Sequence, residues 1–163
     1  MTVLTSADVP PRRPDDHVRG KGRDAIVYLD LACPHCAVTW PRLVRAQLCV
    51  VFRHFPVASK HPRAPALHAA AEAAALQREG AFWELVDSIY ADQGHIDDPH
   101  LWERARALGL DLERFERDRR ADGATRRVRR DFDDGIRAGV TGTPAAFVEG
   151  RRVAGDIVQT PPL

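Results

Sequence analysis

The chain has 163 residues, 44% of them hydrophobic and 29% charged, which is the length of about one domain with enough apolar material for a core. Lysine and arginine total 24 against 23 acidic residues, and a net charge of +1 offers no general attraction to nucleic acid or an anionic membrane. No apolar run approaches the ~20 residues of a membrane span, and Met1 to Arg23 lacks the apolar stretch of an export signal, so a cytoplasmic protein is expected.

Residues 1–23, with Pro10, Pro11 and Pro14 among charges, read as a polar leader, extended or loosely attached. Ala25 to Leu31 (AIVYLDL) has the continuous apolar character of a strand buried on both faces. Cys33-Pro34-His35-Cys36 follows, then a helical pattern through Val38, Leu43, Val44 and Leu48, with Pro34 suited to the first turn and Pro41 expected to kink the helix. Leu48 to Phe55 (LCVVFRHF) is a second buried strand ended by Pro56, which completes a βαβ unit.

From residue 63 to 139 the composition turns to alanine, leucine and arginine. An Ala-rich helix runs from Pro65 to Glu79. A second carries the stripe Phe82, Leu85, Val86, Ile89 and Tyr90. Asp98-Pro99 reads as a cap and first-turn proline for a third, and Leu112 with Phe115 marks a shorter one. Ala124, Val128, Phe132 and Ile136 mark the last, ending at Gly139. Then Ala145 to Val148, a turn at Glu149-Gly150, and Arg151 to Ala154 predict a β-hairpin. The result is an α/β fold with helices inserted between the βαβ unit and the hairpin.

Three cysteines are too few and odd in number for a secreted disulfide framework, so the pair spaced three apart is read as chemistry. A thiol at a helix N-terminus meets the positive end of the helix dipole and unpaired backbone N–H groups, and both favour the thiolate. Cys33 sits where that field is strongest, and His35 offers charge or a donor beside it. Cys36, one turn inside, should be more buried and closer to an ordinary thiol. A stabilised thiolate favours the reduced pair and makes its disulfide the stronger oxidant. The pair could instead be half of a zinc site completed by histidines such as His54, His61 and His68, but no second CxxC or HxxxH appears, and the redox pair is favoured.

Thr143-Pro144 enters the hairpin about 110 residues later. On base rates alone it is an ordinary trans turn before an edge strand, although X–Pro is the one common place for a cis bond. Cys49 in LCVVF reads as a buried core thiol, and His54 as a packed strand-end residue. Asp30 is either a strand-end acid in water or a proton-transfer group near the cysteines. The arginines at 126, 127, 129 and 130 are interleaved with acids at 122, 131, 133 and 134, as on a solvated helix face.

In order, strand, CPHC, kinked helix, RHFP, Ala-rich helix, Gly80-x-Phe-Trp83 and Gly142-Thr-Pro144 before a hairpin resemble the DsbA-like branch of the thioredoxin superfamily, over roughly Asp24 to Gly155. The resemblance implies a thioredoxin-like domain from 24–62 and 140–163 with an inserted helical domain at 63–139. It implies a thiol–disulfide oxidoreductase acting on protein or peptide thiols, recycled by a thiol or reductase, with no cofactor beyond the Cys33–Cys36 disulfide. Within the motif, Cys33 would be the exposed nucleophile, Cys36 the resolving thiol and His35 the tuning residue, with Pro34 a further residue of the site. Pro144 would be a cis-proline facing the disulfide, and Thr143 would pair with an extended substrate by β-augmentation. Members of this branch commonly end in a helix on the sheet, whereas DIVQTPPL follows the hairpin here, so a less covered sheet face and a homodimer are expected. A thioredoxin-fold transferase or isomerase, using Cys33 to bind or activate a glutathione-type thiol, is the alternative.

Overall fold

Alternate residues of the strand Arg23–Leu29 feed two different cores: Ala25, Val27 and Leu29 enter one, while Ile26 and Tyr28 enter the other. Both faces of the strand are therefore covered, which is why its sequence is continuously apolar. In the computed structural model, which describes residues 7–154, the strands are β1 (His17–Arg19), β2 (Arg23–Leu29), β3 (Leu48–His54), β4 (Ala145–Val148) and β5 (Arg151–Arg152). They form one sheet in the order β1-β3-β2-β4-β5. The β2–β3 pair is parallel, with Ala25 opposite Val50 and Leu29 opposite His54, and every other pair is antiparallel.

The parallel pair is connected by α1 (Pro34–Arg45), which has Pro41 in its interior. Between β3 and β4 lie α2 (Ala64–Gln77), α3 (Ala81–Ala91), α4 (Asp98–Ala107), α5 (Leu112–Arg119) and α6 (Asp122–Arg137). This is the expected helical insertion. The cap of α4 is Asp97 rather than Asp98: its carboxylate accepts the His100 N–H at 3.1 Å, and Asp98 is already helical.

One core packs α1, α2 and α3 on the sheet through Trp40, Leu43, Leu67, Phe82, Leu85 and Ile89. The opposite core joins Tyr28, Phe55 and Phe147 to Phe132, with Phe55 and Phe132 stacked at 4.6 Å between ring centroids. There α6 lies close to the sheet. A Cβ on Gly135 would fall 2.8 Å from Phe55 Cδ2 and 2.9 Å from Tyr28 Cδ1. The hairpin turns through Glu149 (φ 53°) and Gly150 (φ 75°), a two-residue connection with both central residues left-handed.

The leader departs from expectation. Its described residues are fastened to the sheet rather than loosely attached, and His17–Arg19 is an edge strand on β3. The anchor is Arg53, fully buried in β3. Its guanidinium binds both Asp16 carboxylate oxygens at 3.1 and 2.9 Å, and the Pro10 and Pro11 carbonyls at 2.9 Å each. Composition suggested a free segment because proline and charge discourage regular structure, but the carbonyls such a segment leaves unpaired are the acceptors a buried guanidinium requires. The expectation of a bare sheet face after the hairpin falls at 155–163, outside the described residues.

Candidate active site

The turn from β2 into α1 brings Asp30, Leu31, Ala32 and Cys33 to the carboxyl end of the parallel strands. Asp30 is fully buried and staples this turn. Its carboxylate accepts the Ala32 N–H at 2.8 Å and the Val57 N–H at 2.9 Å, and its carbonyl accepts the Cys33 N–H at 3.1 Å. Burial opposes its ionisation, but those bonds hold its carboxyl below the ordinary range. The expectation of a strand-end acid in water therefore fails.

Cys33 is the N-cap of α1, with extended backbone (φ −79°, ψ 123°) and Pro34 as the first helical residue. Its sulfur stands at the helix start without closing a capping hydrogen bond. The Cys36 thiol hydrogen-bonds to it, and burial opposes ionisation. The Thr143 side chain and the nearby backbone N–H groups of Cys36 and His35 also favour the ionised sulfur. Together they lower its pKa from 9.0 to about 5. At neutral pH these contacts favour the thiolate.

Two expectations need correction here. Cys33 is not exposed: it retains 7% of its surface. Cys36 is not close to an ordinary thiol. It is fully buried, and burial together with the adjoining Cys33 sulfur raises its pKa far above the usual range. Both corrections have one cause. Placing two sulfurs in hydrogen-bond contact at a helix terminus excludes water from both, and the single proton they share at neutral pH stays on the inner one.

The Thr143–Pro144 peptide bond is cis. The loop faces the cysteines directly, with the Cys33 sulfur 3.7 Å from the Thr143 carbonyl oxygen. Pro34 and His35 are exposed on the outer turn of α1, and the His35 group that acts on Cys33 is its backbone N–H. The six residues singled out in the sequence are thus brought to one place, 110 residues apart along the chain.

Several residues around the turn were not read from the sequence as part of it. Tyr90, on α3, donates its hydroxyl to the Asp30 carbonyl at 3.1 Å. Gln93, just beyond α3, donates to the carbonyls of Leu31 and Cys33 at 2.8 and 3.1 Å. His68, on α2, accepts the Leu31 N–H at Nε2, 3.0 Å away. That last bond fixes the protons of a buried chain. With Nε2 accepting, the neutral His68 ring carries its proton on Nδ1 and donates to His54 Nδ1 at 2.7 Å. His54 must then donate from Nε2 to Glu72 Oε1 at 2.6 Å, where His17 Nε2 also donates at 2.7 Å. Burial drives the His68 pKa down to about 4, and the two imidazole donors keep the Glu72 carboxyl ionised.

His17, His54 and Glu72 are the side chains close enough to share an ion among the described residues. The set excludes Cys33 and Cys36, so the histidines do not complete a zinc site with the cysteines as one reading supposed. His54 Nε2 holds a proton in this chain, and a metal there would reverse every bond back to Leu31. His54 is packed at a strand end as expected, but it also belongs to this relay. Cys49 is buried as expected, 3.7 Å from an Arg12 nitrogen.

The comparisons agree with this architecture. A family model described as a DSBA-like thioredoxin domain matches residues 54–159, a span that includes the cis-proline loop and begins after the cysteine pair. Curated relatives include the Na(+)/H(+) antiporter NhaA of Herminiimonas arsenicoxydans, 39% identical over 158 residues covering 90% of this chain and 24% of that protein. Another is Na(+)/H(+) antiporter NhaA 3 of Salinispora tropica, 42% identical over 156 residues, with 87% and 23% covered. The chain thus spans about a quarter of the length of the curated relatives it matches.

Among solved structures, BdbD from Bacillus subtilis superposes with a TM-score of 0.77 at 15% identity, covering 92% of this chain and 90% of that one. The thiol-disulfide exchange protein alpha-DsbA2 from Wolbachia pipientis gives 0.76 at 16%, with 85% and 78% covered. DsbA2 of Pseudomonas aeruginosa gives 0.69 at 28%, with 87% and 86% covered. With a family model matching well over half of its residues and this fold around it, the chain belongs to the DSBA-like thioredoxin domain family.

Proposed function

We propose that the chain is a thiol–disulfide oxidoreductase whose reacting pair is Cys33 and Cys36. The observation that carries this reading is the Cys33 sulfur, held as a thiolate at the start of α1 between the Cys36 thiol and the cis-proline loop. In the reduced protein the Cys33 thiolate attacks one sulfur of a substrate disulfide. A Cys33–substrate bond forms, and the other substrate sulfur leaves as a thiolate. Cys36 then loses its proton and attacks the Cys33 sulfur, so the Cys33–Cys36 disulfide forms and the second substrate sulfur is released. The two electrons pass from the pair to the substrate, and the reverse sequence oxidises a substrate dithiol. Thr143, beside the sulfur, would offer backbone groups to an extended peptide, and His35 and Pro34 would line the entry. A thiol or reductase would reset the pair.

The exchange chemistry is what we extend to this chain. The ion transport in the names of the curated relatives belongs to proteins of which the chain matches 24% or 23%. Turnover of insulin disulfides tests the reading. Cys33→Ser should abolish it, and Cys36→Ser should accumulate mixed disulfides visible by mass spectrometry. Undiminished turnover in Cys33→Ser would refute the exchange reading. Full activity in Cys36→Ala would instead favour a transferase that activates a thiol ligand on Cys33.

A further inference from the structure

The turn that presents Cys33 is held largely from outside the strand–helix unit to which it belongs. Three side chains of the helical insertion reach it: His68 takes the Leu31 N–H, Tyr90 gives to the Asp30 carbonyl, and Gln93 spans the Leu31 and Cys33 carbonyls. The Gln93 contact bears most directly on the sulfur. Its one amide nitrogen binds two carbonyls that flank Ala32, at 2.8 and 3.1 Å, so the Leu31–Ala32 and Cys33–Pro34 peptide planes turn only if a bond to it is lost. The Cys33 carbonyl also accepts the Ala37 N–H at 3.1 Å, the first bond of α1. The sulfur lies at the first N–H groups of α1 only while Cys33 keeps its extended N-cap backbone, and the Gln93 bond to its carbonyl holds the ψ side of that backbone.

We infer that Gln93 is a positioning residue for the exchange reaction, holding the Cys33 carbonyl so that the sulfur stays aligned on the first N–H groups of α1. This rests on the reading of Cys33 as the reacting thiol. Gln93 touches neither sulfur. It acts through the backbone, from a part of the chain 60 residues away. A glutamine serves because its amide nitrogen carries two donors to satisfy two carbonyls, where a methionine of similar length has none and a glutamate presents oxygens to oxygens.

The test is the ultraviolet thiolate titration of the reduced full chain, with alkylation rates of Cys33 across the same pH range. Gln93→Met should raise the Cys33 pKa by about one unit, leaving about tenfold less thiolate at any pH well below both values. Gln93→Glu should raise it at least as far. The position is only half-buried, which keeps both variants foldable, and Gln93→Ala serves if either is not. Variants that titrate within about 0.3 unit of wild type while melting at lower temperature would overturn the inference and leave Gln93 a loop seal. A wild-type Cys33 that titrates like an ordinary thiol would instead overturn the exchange reading itself, before any variant is compared.

Discussion

Removing the Cys36 thiol tests which contact makes Cys33 acidic. The bond from the Cys36 thiol is the largest of the influences that lower the Cys33 pKa to about 5, ahead of the Thr143 side chain and the two backbone N–H groups. A hydrogen bond to a charged acceptor contributes about 1.5–3 kcal/mol, and one pKa unit corresponds to about 1.36 kcal/mol. Cys36→Ala should therefore move the Cys33 pKa up by about one to two units. At pH 6 the ionised fraction would fall from about nine-tenths to about one-quarter for a midpoint near 6.5. Cys36→Ser keeps a donor of nearly the same reach and should leave the midpoint close to that of wild type. The assay is thiolate absorbance of the reduced proteins between pH 4 and 8. Cys49 stays silent over most of this range because burial and Asp24 push its own pKa upward. Equal midpoints for the alanine and serine variants would refute the reasoning, since the helix terminus alone would then be sufficient.

The buried relay predicts acid sensitivity. His68 has a folded pKa of about 4, lowered mainly by burial, against 6.5 when exposed. Below pH 6.5 the unfolded chain takes up a proton that the fold refuses, so this contribution is complete above pH 6.5 and is lost as pH falls towards 4, by up to about 3 kcal/mol. Urea unfolding at pH 7, 5.5 and 4 should show that slope in wild type and a shallower one in His68→Gln. Identical slopes would exclude His68 as its source. On the opposite face, Gly135→Ala should destabilise by about 1–2 kcal/mol, because overpacking against Phe55 and Tyr28 outweighs the ~1 kcal/mol that alanine gains in a helix. A variant more stable than wild type would show that α6 shifts freely on the sheet.

The fold was legible wherever local patterns carried it. Continuous apolar runs marked β2 and β3, glycine and proline punctuation divided the helices, and Glu149-Gly150 announced the hairpin. The cysteine pair could be found because its spacing is a property of one turn. The His68–His54–Glu72–His17 assembly could not, since it joins β1, β3 and α2, and each member alone resembles a packed or solvated residue. A histidine in the alanine stripe of α2, facing the core beside Glu72, was the available signal. Gln93 offered none: a polar residue after a helix looks like any other loop position. Arg53 offered none either, because the carbonyls that a buried strand arginine captures are set by the fold.

The grip of the insertion on residues 30–33 bears on how portable this cysteine pair is. Grafting CPHC with its strand and helix onto a bare thioredoxin scaffold would transfer the sulfurs without Tyr90, Gln93 and His68, and with them the scaffolding that orients the first amides of α1. Conversely, loop exchanges among the helices that stay far from the cysteines in sequence would retune them. Thiol acidity here is a property of the assembled chain, inherited by neither segment alone.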